Sequence, residues 1–261
     1  MKALICGAVI CAVVAPLSAT ASPIDGTWKG DVSSAQMPKK PDIFVLKDGM
    51  YSCKTCAPAY TIKADGSDQP VSGHPYIDTI AIKVVDPNTI EETDKKGGKI
   101  VATSKETVAP DGKTETFEFS DSSDSNGAPV TGKGTNTRVA AGPAGSHAVS
   151  GSWITTSFES LSDNGVTVTY KTDGDMLSMS TPTGQSYTAK MDGSEAPMKG
   201  DPGITSVSVK MMGNTLVETD KRNGKVISRA RSTVSKDGKS MTVAYYDALH
   251  DRTTHYKATK Q

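Results

Sequence analysis

NTIEETDKKGGKIVATSKETVAPDGK, running from Asn88 to Lys113, is the stretch on which the fold is decided, because NTLVETDKRNGKVISRARSTVSKDGK, Asn214 to Lys239, repeats it without a gap. The two are identical at 13 of 26 positions, sharing Glu-Thr-Asp-Lys, a Gly-Lys pair, Thr-Val and Asp-Gly-Lys. That is a duplication, and its grammar is strand, tight turn, strand, tight turn. Gly97-Gly98 and Asn223-Gly224 supply the positive φ angles of a hairpin, and Asp111-Gly112 and Asp237-Gly238 do so again one strand later.

Outward from this stretch the copies keep their register. Gly26-Thr27-Trp28 opens the first and Gly151-Ser152-Trp153 the second. Before the repeat, Ile80, Ile82 and Val84 alternate with polar residues, as do Val207, Val209 and Met211, which predicts half-buried antiparallel strands with these triples inside. Val166, Val168 and Tyr170, then Leu177 and Met179, then Tyr187, Ala189 and Met191 alternate likewise between Gly-containing turns. Each copy also carries a 12-residue loop, Asp65 to Tyr76 and Asp192 to Gly203, long for a hairpin and so either a lid or a packed surface loop. The sum is an all-β chain of two tandem antiparallel up-and-down barrels of about eight strands each. The expected division is a first barrel over 22–140, a linker over 141–148 rich in Gly and Pro, and a second barrel over 149–261.

Residues 1–21 read as a signal peptide: Lys2, an apolar run from Ala3 to Val14 too short to span a bilayer, and an Ala19-Thr20-Ala21 cleavage site. The expected address is therefore periplasmic or secreted, with no integral membrane association after cleavage. Lys and Arg number 29 against 29 Asp and Glu, and without Lys2 the balance is near −1. A nucleic-acid partner would call for a basic excess that is absent. Aromatic residues are only 5% of the chain, so each barrel is either narrow and filled by aliphatic residues and Met, or partly open.

The Gly-x-Trp openings followed by such a meander resemble the lipocalin-like proteins of the calycin superfamily, and the arrangement is also similar to exported bacterial proteins with two such repeats. In that family the Trp packs across the closed end of the barrel beneath a basic residue of the last strand. The resemblance gives this role to Arg138 for Trp28 in the first copy and to Lys257 for Trp153 in the second. Barrel geometry, the long loop and the thin aromatic filling point instead to a ligand site at the open end of one barrel, more plausibly the Met-rich second.

Candidate chemistry is sparse. Cys53 and Cys56 are the only cysteines beyond the signal segment, and in an oxidising compartment a disulfide that staples a turn is the default reading. A redox role needs a helix N-terminus, haem attachment needs His where Ala57 stands, and zinc needs four ligands where two Cys and His74 are in view. No metal or cofactor is expected. The histidines are scattered, no nucleophile elbow is present, and Asp and Glu look like turn residues, so catalysis is not expected. Seven of the ten Met residues fall in the second copy. They are either core filling or an adaptable lining for an apolar ligand, with Cu(I) ligation a weaker alternative. The leading expectation is an exported binding protein for a small apolar or amphipathic ligand, with Tyr170, Met179, Met191, Val207, Val209 and Met211 as the lining. The alternative is a pair of solid barrels that bind an exported protein, as an inhibitor or envelope-stress factor would, and a CxxC redox or metal protein is the weaker third reading.

Overall fold

The computed structural model describes residues 22–124 and 128–261, and the expected signal segment lies outside them. Ten strands make the first part of the chain: β1 (Gly26–Gln36), β2 (Asp42–Lys47), β3 (Met50–Cys53), β4 (Tyr60–Lys63), β5 (Gln69–Pro70), β6 (Thr79–Asp86), β7 (Thr89–Lys96), β8 (Lys99–Val108), β9 (Thr114–Asp121) and β10 (Val130–Ala141). Ten more follow: β11 (Gly151–Leu161), β12 (Thr167–Asp173), β13 (Met176–Ser180), β14 (Ser186–Lys190), β15 (Asp192–Pro197), β16 (Ser206–Met212), β17 (Thr215–Arg222), β18 (Lys225–Val234), β19 (Ser240–Asp247) and β20 (Arg252–Lys260). They form two antiparallel, nearly closed barrel-like sheets of ten strands each. The count exceeds the expected eight because part of each long loop pairs. β15 is built from the Asp192 loop and lies along β16, and β5 is a two-residue contact of the Asp65 loop with β6. Among the described residues no helix is long and apolar enough to cross a membrane.

Strand pairing crosses the boundary drawn from the sequence. β1 pairs with β12 and β20, whereas β11 pairs with β10 and β2. Barrel one is thus the continuous run β2–β11, and barrel two is β12–β20 closed by the N-terminal strand. The two copies have exchanged their Trp-bearing first strands. The physical reason lies in the connections. Residues 37–41 read Met-Pro-Lys-Lys-Pro, and two prolines in five residues keep β1 from folding back onto β2 as a hairpin. The other crossing, 162–166, is a single 3₁₀ turn over Asp163–Gly165. Short, stiff hinges of this kind favour exchange between identical elements. The segment expected to link the domains instead joins β10 to β11 inside barrel one, with the N–H of His147 on the carbonyl of Leu46.

Exchange carries the tryptophans with it. Arg138 stacks 4.0 Å from the ring centroid of Trp153, not Trp28, and Lys260 rather than Lys257 lies 5.2 Å over Trp28. Lys257 is exposed. Both tryptophans are buried and donate their indole N–H to carbonyls of Ile24 (2.7 Å) and Val149 (2.9 Å). The glycines of the motif have a mechanical role: a Cβ on Gly151 would sit 2.7 Å from the guanidinium of Arg138, and one on Gly26 2.7 Å from Cε of Lys260. Glycine at these points lets the cation reach the ring.

The cores follow the period of two. Ile80, Ile82, Val207 and Val209 are buried as expected and Met211 packs against the core, but Val84 is 43% exposed because a register irregularity between Val84 and Asp86 ends the alternation. Cys53 and Cys56 form a disulfide that staples the turn between β3 and β4.

Candidate functional site

The repeated Glu-Thr-Asp does not sit in a turn. On β7, Ile90 is buried and the same face continues with Glu92 and Asp94; on β17, Leu216 is followed by Glu218 and Asp220. Both acid pairs therefore enter a barrel. Barrel one adds Glu106 from β8 and Glu115 from β9, where barrel two has Ser232 and Met241.

In barrel one Glu115 is 1% exposed and accepts a hydrogen bond from Nδ2 of Asn136 at 2.9 Å, while its other oxygen has no partner. Burial raises its carboxyl to about 7, opposed by Asn136 and Arg138. Burial and the neighbouring Glu115 raise Glu106 to about 8, and burial with the charges of Asp94 and Glu106 raises Glu92 well above its ordinary range. Asp94 is raised to about 6, again chiefly by burial. The cluster holds protons near neutrality. Its outer end is shut by aromatic rings: Phe117 meets Phe158 edge-on at 5.6 Å and Phe119 at 6.4 Å. These rings lie against Gly132 and Gly134, where any Cβ would approach them within 2.5 Å.

Barrel two lacks that plug, since Val243 and Tyr245 stand where β9 has Phe117 and Phe119. Here the carboxyl of Glu218 takes a hydrogen bond from the hydroxyl of Tyr187, and Asp220, 4% exposed, takes one from Ser228 at 2.5 Å. Burial and then the charge of Asp220 raise Glu218 to about 8; burial and Asp201 raise Asp220 against the lowering effect of Ser228. Oδ1 of Asp220 has no partner.

Two cavities adjoin at this end of barrel two. One, of about 430 Å³, lies where the exchanged strands cross and is lined mostly by apolar side chains, among them Val32, Ala35, Phe158, Leu161, Val168 and Tyr256. The other, of about 410 Å³, lies between the barrels, with Glu218, Asp220, Met179, Met198 and Asp201 of barrel two across from Phe119, Asp121 and Val130 of barrel one. Gly165, Thr167, Thr181 and Tyr245 line both. Thr254, opposite Tyr245, is six residues along β20 from Lys260, which faces Trp28. The site is thus about 20 Å from the closed end.

Of the side chains expected to line a ligand site, Tyr170, Met179, Val207 and Val209 meet in the barrel-two core, with Met191 and Met211 partly buried against it. Met179 alone among them borders either cavity, and Val207 and Val209 are sealed in packed core. The inward acids depart from the turn role expected of Asp and Glu, and the run Leu216-x-Glu218-x-Asp220 carries the signal: an inward aliphatic residue followed at steps of two. Among the described residues no three His, Cys, Asp or Glu side chains are grouped to hold a metal ion. No protein-family model matches the chain, and no curated protein matches it either.

Proposed function

We propose that this is an exported, non-enzymatic binding protein whose small amphipathic ligand occupies the open end of barrel two. The observation that carries the reading is the cavity of about 430 Å³ with its apolar lining, opening beside a polar compartment at the unplugged end of a barrel. Binding sites are concave and mainly apolar with a few placed polar groups, and this is the arrangement here. A lipocalin-like kinship is supported by the buried Gly-x-Trp under a stacked cation at the opposite end. Export is supported by the N-terminal pattern and by the Cys53–Cys56 disulfide, which persists in oxidising compartments.

The test is titration with a neutral solvatochromic dye such as Nile red. Saturable binding is expected, weakened at least tenfold in Ala35→Trp, which fills the cavity from half-buried strand β1. Absence of saturable binding, or binding indifferent to Ala35→Trp in a variant that retains its strand circular dichroism, refutes the proposal.

A further inference from the structure

We infer that the ligand of barrel two carries a cationic head group, an ammonium or amidinium, which Asp220 and Glu218 receive while its apolar body lies in the adjoining cavity. This rests on the binding reading above and names its chemistry.

The lining of the second cavity includes Asp121, Asp124, Asp201, Glu218 and Asp220, and no Lys, Arg or His. Three of these carboxyls differ in what they still need. Asp201 is satisfied by the hydroxyl of Tyr76 at 3.0 Å and by the N–H groups of Gly203 and Ile204. Asp121 accepts from the N–H of Ser123. Asp220 is different: nearly all of it is buried, one oxygen is taken by Ser228, and the other has no donor. A buried acceptor without a donor is costly, so the position calls for an N–H that the chain itself does not supply.

The chemistry of that donor follows from the surroundings. Glu218 lies two residues before Asp220 on the same face of β17, so both carboxyls line the same cavity. Burial holds both carboxyls toward their protonated forms, so a cation there gains from both as it displaces their protons, and more than in water because the site is enclosed. A carboxylate or phosphate head would meet like charge, and an alcohol would satisfy Asp220 without answering the charge. A metal ion would want three or more converging ligands, and these acids do not form such a group. Thr181 and Tyr245 stand in the partition between the acidic and apolar cavities, so head and body of one molecule reach both at once. Barrel one has more buried carboxyls but its end is closed by Phe117, Phe119 and Phe158, so the inference belongs to barrel two alone.

The test is isothermal titration of the whole chain with n-octylammonium, n-octanol and n-octanoate, each below its micellar concentration. The ammonium is expected to bind at least tenfold more tightly than the alcohol, with the carboxylate weakest. Asp220→Asn should bring the ammonium-to-alcohol affinity ratio within threefold of one. Should Asp220→Asn not fold, Glu218→Gln reports the same ratio, expected to fall at least threefold. Equal affinity for the three heads, or a ratio that survives the substitution, overturns the cationic inference and leaves the binding site standing. Failure of all three to bind overturns both.

Discussion

Replacing Glu106 by Gln should stabilise barrel one at neutral pH and do almost nothing in mild acid. Glu106 is buried within electrostatic reach of the carboxyls of Glu92 and Glu115 and the phenols of Tyr51 and Tyr60, and its carboxyl moves from 4.5 to about 8 on folding. The folded form therefore grips this proton more tightly than the unfolded chain does. Stability from the group is fully present below pH 4.5 and is lost as pH rises to about 8. Each pH unit crossed costs up to about 1.4 kcal/mol, so at pH 7.5 the ceiling is on the order of 4 kcal/mol. The neighbouring acids share the same protons and titrate together, and relief of Glu106 alone is a fraction of that, about 2 kcal/mol. Glutamine keeps the shape and a neutral head, so the variant should gain about 2 kcal/mol at pH 7.5 and change by less than about 0.5 kcal/mol at pH 5. Urea unfolding at the two pH values measures this, in a Trp28→Phe background so that Trp153 alone reports barrel one. A gain of equal size at both pH values, or a loss at pH 7.5, would show that Glu106 is not held protonated by its surroundings.

Three further outcomes follow from the strand exchange and the closed ends. A fragment of residues 42–161 contains every strand of barrel one and should fold cooperatively, whereas 22–140 lacks β11 and should not; far-UV circular dichroism and thermal melts distinguish them, and a folded 22–140 would refute the exchange. Arg138→Met removes donors to the carbonyls of Gly112, Ala148 and Ser150 as well as the stack on Trp153, and should cost on the order of 3 kcal/mol, against less than about 1 kcal/mol for Lys260→Met, whose ammonium stands farther from its ring. Gly151→Ala should destabilise by about 1–3 kcal/mol, because φ is +151° and the added methyl group meets Arg138, while Gly98→Ala, with open space at its Cβ, should cost about 1 kcal/mol for its positive φ alone. Chemical unfolding curves rank all of these.

The turns and the alternation of small strands were legible because each is a local rule: Asn223-Gly224 needs only its own φ angles, and Ile80-x-Ile82 needs only the pleat. Strand exchange is not local. β1 and β11 both offer Gly-x-Trp to a barrel descended from the same ancestor, so either strand fits either barrel, and the choice falls to the hinge of Pro38 and Pro41, which carries no pattern of its own. For that reason alone Arg138 stacks on the other copy's tryptophan, Trp153, rather than on Trp28. The acids were hidden by a different habit. Asp and Glu are so often turn residues that their type points away from the core, yet Glu218 and Asp220 continue the buried face that Leu216 begins. Burying a carboxyl is expensive, and an expense repeated in both copies at Glu92 and Glu218, then at Asp94 and Asp220, is one that packing does not explain. In barrel one the acids face each other, share protons and are sealed by phenylalanine. In barrel two the same pair faces an opening. The duplication therefore separates two uses of one motif, a closed proton-holding core and an open acidic socket, and the difference rests on whether β9 or β19 supplies the rings above it.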